Sequence, residues 1–192
     1  HSHSHDYLTK FTFQKFVEDI EESIKIFKNK LGYNPNYFSY PFGEYNLEQK
    51  NYIANNFEFA FGQHSGVIDL NKDRYELPRF PINEKYGEIK RFKEVISYLP
   101  LQYKIIKPEN KFMNDGENPP KMTIEFFKDQ KNLENINCFS NEGSKWRKTK
   151  IVLIDNVLNV NFSEKFIERR GRINCSLKDE NGWRFSGFQF VQ

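Results

Sequence analysis

The chain is sparing with the residues that most often declare a function. Among 192 residues there are two cysteines, two tryptophans, two methionines and four histidines. Two cysteines cannot build a structural zinc site unaided. Cys138 and Cys175 stand in the same local context, Ile-Asn-Cys, each inside a strand-like run. They suit either one disulfide between two strands, as in an oxidising compartment, or two buried free thiols. No apolar run approaches the roughly 20 residues that span a bilayer, so no membrane-spanning segment is predicted. The net charge of +3 is small and the basic residues are interleaved with acids. The one local cluster, Lys145-Trp146-Arg147-Lys148-Thr149-Lys150, is short and reads as a solvated hairpin edge. Nucleic acid is therefore not an expected partner. What the chain has in quantity is aromatic surface, 20 Phe and 10 Tyr. Flat rings fill cores, and they also suit sugar-facing surfaces.

The first half alternates helix and strand signals. Phe13, Phe16, Val17, Ile20, Ile24, Phe27 and Leu31 recur at helical spacing. Thr12 precedes them as an N-cap, Gly32 follows as a stop, and Pro35 comes soon after. The segment 37–42 reads as an aromatic strand that must end at Pro41, which has no N–H for a ladder. Asn46 caps a second predicted helix over 47–56. Residues 57–62 and 76–82 read as further extended pieces. A helix near 87–99 is expected to turn Ile89, Phe92, Val95, Ile96 and Leu99 inward. This rhythm is that of an α/β layered or barrel domain.

After Pro100 the pattern becomes all strand. Residues 107–120 are polar and rich in Pro and Gly, and are expected to be a linker. From 121 to 192, about six short alternating runs are separated by turn chemistry at Asn141-Glu142-Gly143, Asp155-Asn156 and Asn181-Gly182. They predict a small β-sandwich. The expected fold class is therefore α/β plus all-β: part of a distorted (β/α) barrel over 1–106, then a linker, then an accessory β-sandwich.

The residues that bear on chemistry cluster at the start. His1 and His5 lie four apart, a spacing that converges on one metal in a helix or a tight turn. Zinc accepts neutral imidazole readily, yet a catalytic zinc wants a third protein ligand, and none is nearby in sequence. Alone, the stretch could equally be the scar of an expression tag. Its sequel changes the reading. His1-Ser2-His3-Ser4-His5, then a capped amphipathic helix, then Tyr40-Pro41-Phe42-Gly43, resembles the polysaccharide deacetylase family, also called carbohydrate esterase family four. Residues 60–67 and 77–87 are similar to later strands of one subgroup, so the resemblance covers residues 1 to about 100.

That resemblance implies a divalent metal, with zinc the default from the ligand types, held by His1 and His5. Ser2 and Ser4 would brace the loop by hydrogen bonding, and His3 would point away. The Phe42 backbone N–H would help hold the oxyanion, and Tyr40 and Phe42 would wall a sugar subsite lined also by Pro41 and Gly43. Plain strand core remains the other reading of that aromatic run. The chain departs from the family in three places. No Asp-Asp pair exists anywhere, although that pair supplies the family's third metal ligand and its general base. The look-alike at Ile151–Asn156 reads as a hairpin strand end. Ser39 stands where many members have an arginine that orients the base, and Arg79 is the candidate to replace it, unless it is a surface arginine. The usual Leu-x-His motif is absent, which leaves His64 as the candidate general acid or as a hydrogen-bonded loop residue.

Beyond residue 121 the candidates are thinner. Trp146 and Trp183 could form a carbohydrate platform, though closing a sandwich core is the commoner role. Arg170 and Arg172 share a strand face and could reach an anionic sugar, or could form a solvated sheet edge. The expectation is a carbohydrate deacetylase acting on an acetylated envelope or extracellular polysaccharide, in the periplasm, the bacterial envelope or outside the cell. This chain would be a fragment needing an N-terminal segment that carries the aspartates, and inactive alone. The alternative is a deacetylase-like scaffold without catalysis, serving carbohydrate binding or polymer export.

Overall fold

The computed structural model describes residues 1–69, 71–114 and 116–192. The chain divides into two compact units, His1–Gln63 with Leu70–Pro78, and His64–Asp69 with Arg79–Gln192.

In the first unit, local chemistry sets the helix ends. Helix α1 spans Phe13–Leu31, with the Thr12 hydroxyl accepting from the Lys15 N–H and Gly32 taking up the left-handed conformation at φ 84°. Helix α2, Leu47–Asn56, begins with a capping box. The Asn46 side chain accepts from the Gln49 N–H, and the Gln49 side chain accepts from the Asn46 N–H. Strands β1, Tyr37–Ser39, and β2, Phe59–Phe61, pair in parallel with Phe38 opposite Ala60. β1 stops before Pro41, as the missing N–H requires. Of the extended segment 76–82, only Leu77 joins this sheet, through a bridge to Phe61. The core gathers Leu8, Phe16, Ile20, Phe38, Tyr40 and Ile53. Beside it lies a buried polar network: Lys50 pairs with Asp73 at 2.7 Å and Glu76 at 3.5 Å, and the Tyr45 hydroxyl donates to Glu76 at 2.8 Å.

The second unit is mostly sheet. It holds one helix, α3 at Ile89–Ile96, and strands β3 Leu99–Pro100, β4 Ile105–Lys107, β5 Met122–Glu125, β6 Asn137–Ser140, β7 Arg147–Lys148, β8 Lys150–Ile154, β9 Val157–Asn161, β10 Arg170–Asp179 and β11 Gly182–Val191. Five strands follow the order β3-β11-β10-β6-β7, and four follow β4-β5-β9-β8. Residues from both sheets, among them Ile124, Leu158, Cys175 and Phe190, share one apolar core. Along β10, Gly171, Ile173, Cys175 and Leu177 are buried while Arg170, Arg172 and Asn174 face the other way, the two-residue period of a strand. Cys138 and Cys175 sit opposite each other across β6 and β10 and are joined by a disulfide. That outcome decides between the two readings of the cysteines.

Several expectations are corrected. For the partial barrel expected over 1–106 the structure gives mixed helix and sheet, with two parallel strands paired in the first unit and no closed barrel among the described residues. Helix α3 follows its expected facing only in part: Val95 is sheltered as expected, together with Arg91 and Tyr98, whereas Ile89 and Ile96 are 68% and 64% exposed and Phe92 is exposed too. Periodicity identifies an apolar stripe but not what covers it. Trp146 and Trp183 do not close the core, being 53% and 49% exposed. β10 runs between β11 and β6, so Arg170 and Arg172 are on a central strand and not on an edge. Within the segment expected to be a linker, the Met113 N–H donates to Val191 O at 2.7 Å and Met113 is buried.

Candidate functional site

The histidine loop is held against α1. Asp19, on that helix, accepts the Ser4 N–H through Oδ1 at 3.0 Å and the His3 N–H through its carbonyl at 3.3 Å. The Ser2 hydroxyl accepts from the His5 N–H and the Ser4 hydroxyl from the Asp6 N–H, each at 3.2 Å. Both serines thus brace the loop, as the family resemblance implies. The loop turns sharply at His5, which has φ 55°. The result is that the His1 and His5 rings meet edge to face with centroids 4.7 Å apart, while the exposed His3 lies outside the pair.

The second motif reaches the same place from β1. After Tyr40 the chain makes a tight turn, with the Gly43 N–H donating to Tyr40 O at 2.9 Å and the Glu44 N–H to Pro41 O at 3.1 Å. Phe42 adopts φ 58°, a left-handed conformation costly for a residue with a Cβ. Gly43, at φ 69°, must be glycine for a second reason: a Cβ there would sit 2.5 Å from the Gln63 backbone nitrogen. The turn carries the Phe42 ring to 5.2 Å from the His5 ring, edge on, and to 4.3 Å from the Tyr7 ring, stacked. Tyr7 is the residue that the motif reading missed. Its only signal is its place two residues beyond His5.

The other predicted residues fall elsewhere. Tyr40 is 1% exposed and packs against Tyr45 at 4.3 Å inside the core, so its ring is core and not subsite wall. Burial raises its hydroxyl pKa well above the ordinary tyrosine value, helped by the charges of Asp73 and Glu76. Pro41 and Gly43 are buried as well, which leaves Phe42, half-buried, as the most accessible member of that motif. His64 and Arg79 belong to the second unit, where the Arg79 N–H donates to the His64 carbonyl at 3.0 Å.

Two neighbouring imidazoles fit two places of a zinc site, which in catalytic form wants a third protein ligand and an open position. No group of three or more His, Cys, Asp or Glu side chains able to hold a metal occurs among the described residues. Among those residues, too, no helix is long and apolar enough to cross a membrane. The polysaccharide deacetylase family model matches residues 1–61. The histidine loop, α1, the Tyr40–Gly43 turn and β2 all fall inside that match. No curated protein and no solved structure matches the chain.

Proposed function

We propose that residues 1–61 are the histidine half of a metal-dependent deacetylase, which hydrolyses N- or O-acetyl groups on an envelope or extracellular polysaccharide. The carboxylates that complete the site would come from a segment outside residues 1–192. The observation that carries this reading is the His1–His5 pair, 4.7 Å between centroids, walled by Phe42 within the matched segment. His1 and His5 would hold a divalent cation, zinc by ligand type, which when bound polarises the acetyl carbonyl and lowers the pKa of water. Phe42 and Tyr7 offer an apolar wall for a sugar ring and keep bulk water from one side of the imidazoles. The Phe42 backbone N–H would donate to the developing oxyanion, a contribution of about 3 kcal/mol in comparable sites. A barrel finished by the outside segment, an accessory β-sandwich and an oxidising location belong to the same proposal. The Cys138–Cys175 disulfide supports that location.

The test is acetate release from chitotetraose with added zinc, by chain 1–192 alone and by the same chain co-expressed with the segment encoded upstream of His1. No release alone and release with the upstream segment is the expected result. Turnover by 1–192 with no other chain overturns the fragment reading. A second reading, carbohydrate binding or polymer export without catalysis, is favoured by the lack of a three-ligand group among the described residues. It prevails if the upstream segment carries no Asp-Asp pair and the combined protein binds glycan without releasing acetate.

A further inference from the structure

The second unit contains a cleft that the acetyl chemistry does not use. It lies between α3 and the face of β10 and β11 turned away from the core, and has a volume of about 410 Å³. That volume is within the roughly 300–1,000 Å³ of small-molecule sites. Two of its lining residues, Ser65 and Asn174, pack closely against Gly187. A Cβ there would lie 2.3 Å from the Ser65 carbonyl oxygen and 2.5 Å from Asn174 Oδ1. The segment carrying Ser65 therefore approaches the sheet closely, and Gly66 bridges Ser186.

One wall is aromatic. Tyr98 and Phe185 are stacked at 5.7 Å with planes 10° apart, and Phe80 closes on Phe185 at 5.4 Å. The opposite wall comes from α3 and is polar: Glu88, Lys90, Arg91 and Glu94. Asn174 and Ser65 add an amide and a hydroxyl. Arg91 is held by its place over the Tyr86 ring, 5.2 Å from the centroid, and its Nη1 is buried without a hydrogen-bond partner. A buried guanidinium donor is ordinarily matched by an acceptor.

The composition of the walls selects the occupant. Two cations and two carboxylates balance, so the cleft holds no net charge to draw a polyanion. Donors and acceptors stand on the same wall, so the ligand must itself offer both. Opposite them stand the rings of Phe80, Tyr98 and Phe185, so one side of the ligand must be non-polar. A sugar ring meets all three conditions: its hydroxyls both donate and accept, and its C–H face lies on aromatic rings. We propose that this cleft is a binding site for a neutral sugar residue of a glycan chain, with Tyr98 and Phe185 as the platform and Arg91 and Asn174 as the hydrogen-bonding groups. The assignment stands on this cleft alone and does not require hydrolysis at the histidine loop.

The test is calorimetric titration of chain 1–192 with chitotetraose, cellotetraose and a hyaluronan tetrasaccharide. At least one neutral oligosaccharide should bind, and Arg91→Ala and Asn174→Ala should each weaken it tenfold or more. Arg91→Lys, which keeps the charge but not the planar donors, should fall between. Tyr98→Phe should bind like the parent, and Tyr98→Ala should not. Circular dichroism of each variant confirms that the sheet is intact. Lys93→Ala, an exposed residue of α3 outside the cleft lining, should leave binding unchanged. The proposal is overturned if neither neutral oligosaccharide binds or if the anionic one alone binds. It is overturned equally if His5→Ala abolishes binding while Arg91→Ala does not, a result that places the glycan at the histidine loop and leaves the deacetylase reading standing.

Discussion

The imidazole of His5 stands edge-on to the ring of Phe42, 5.2 Å between centroids, and Phe42 is held there in a left-handed conformation. The backbone strain and the ring contact can be separated by substitution. Phe42→Ala loses the ring and keeps the strain, whereas Phe42→Gly loses both. The glycine variant should be the more stable of the two by about 1 kcal/mol in urea unfolding. An alanine variant equal to or above the glycine variant would mean that the turn relaxes when the ring is gone.

The disulfide closes a loop of sequence separation 37 in the centre of the larger sheet. Constraint of the unfolded chain by a loop of that size is worth about 4 kcal/mol. The double variant Cys138→Ala with Cys175→Ala should lower the urea midpoint accordingly. Reduction of the unfolded parent by a thiol reductant should reproduce the shift, with a mass gain of two hydrogen atoms on the intact chain.

Tyr45 has its hydroxyl pKa raised well above the ordinary tyrosine value, first by burial and then by Glu76, and Tyr40 is raised first by burial and then by Asp73 and Glu76. A raised folded value means stability that is intact below the unfolded value and is lost as pH rises above about 10. Phenolate absorbance near 295 nm should therefore appear together with loss of structure and not before it. The Tyr40 hydroxyl has no hydrogen-bond partner, so Tyr40→Phe should be neutral within about 1 kcal/mol and should delay the alkaline transition. A large destabilisation by that variant would reveal a partner for the hydroxyl.

At the acid end, Asp179 closes the β10–β11 hairpin. Its carboxylate takes Arg184 Nε and the N–H groups of Asn181 and Gly182, and the Arg184 bond holds its pKa below the ordinary carboxylate value. Depression means stability that is present above about pH 4 and lost as pH falls through the folded value. Asp179→Asn should reduce stability at neutral pH and flatten the acid limb of the unfolding profile. An unchanged acid limb would assign the acid transition to other carboxylates.

What could be read from the sequence was mostly local. Thr12, Gly32 and Asn46 act within a few residues of themselves, so their roles are written in the adjacent chain. The turn chemistry of Asp155-Asn156 and Asn181-Gly182 likewise marks two hairpins that the strands β8–β9 and β10–β11 form. The orientation of α3 was legible only in part, because an amphipathic pattern says that two faces differ and not which one meets the protein. The stack of Tyr7 on Phe42 was equally hidden. It depends on two separate tight turns, one at His5 and one at Phe42, that bring distant residues to one point. Tyr40 shows the converse: a motif aromatic whose burial depends on α2 and the 73–76 segment, and therefore on tertiary packing.

Gly187 sets how closely the Ser65 segment approaches the larger sheet. One methyl group at that position would lift that segment from the strand, while the hairpin ladder around it could stay in register. An alanine at residue 187 is therefore expected to displace the Ser65 segment without disturbing the β10–β11 pairing.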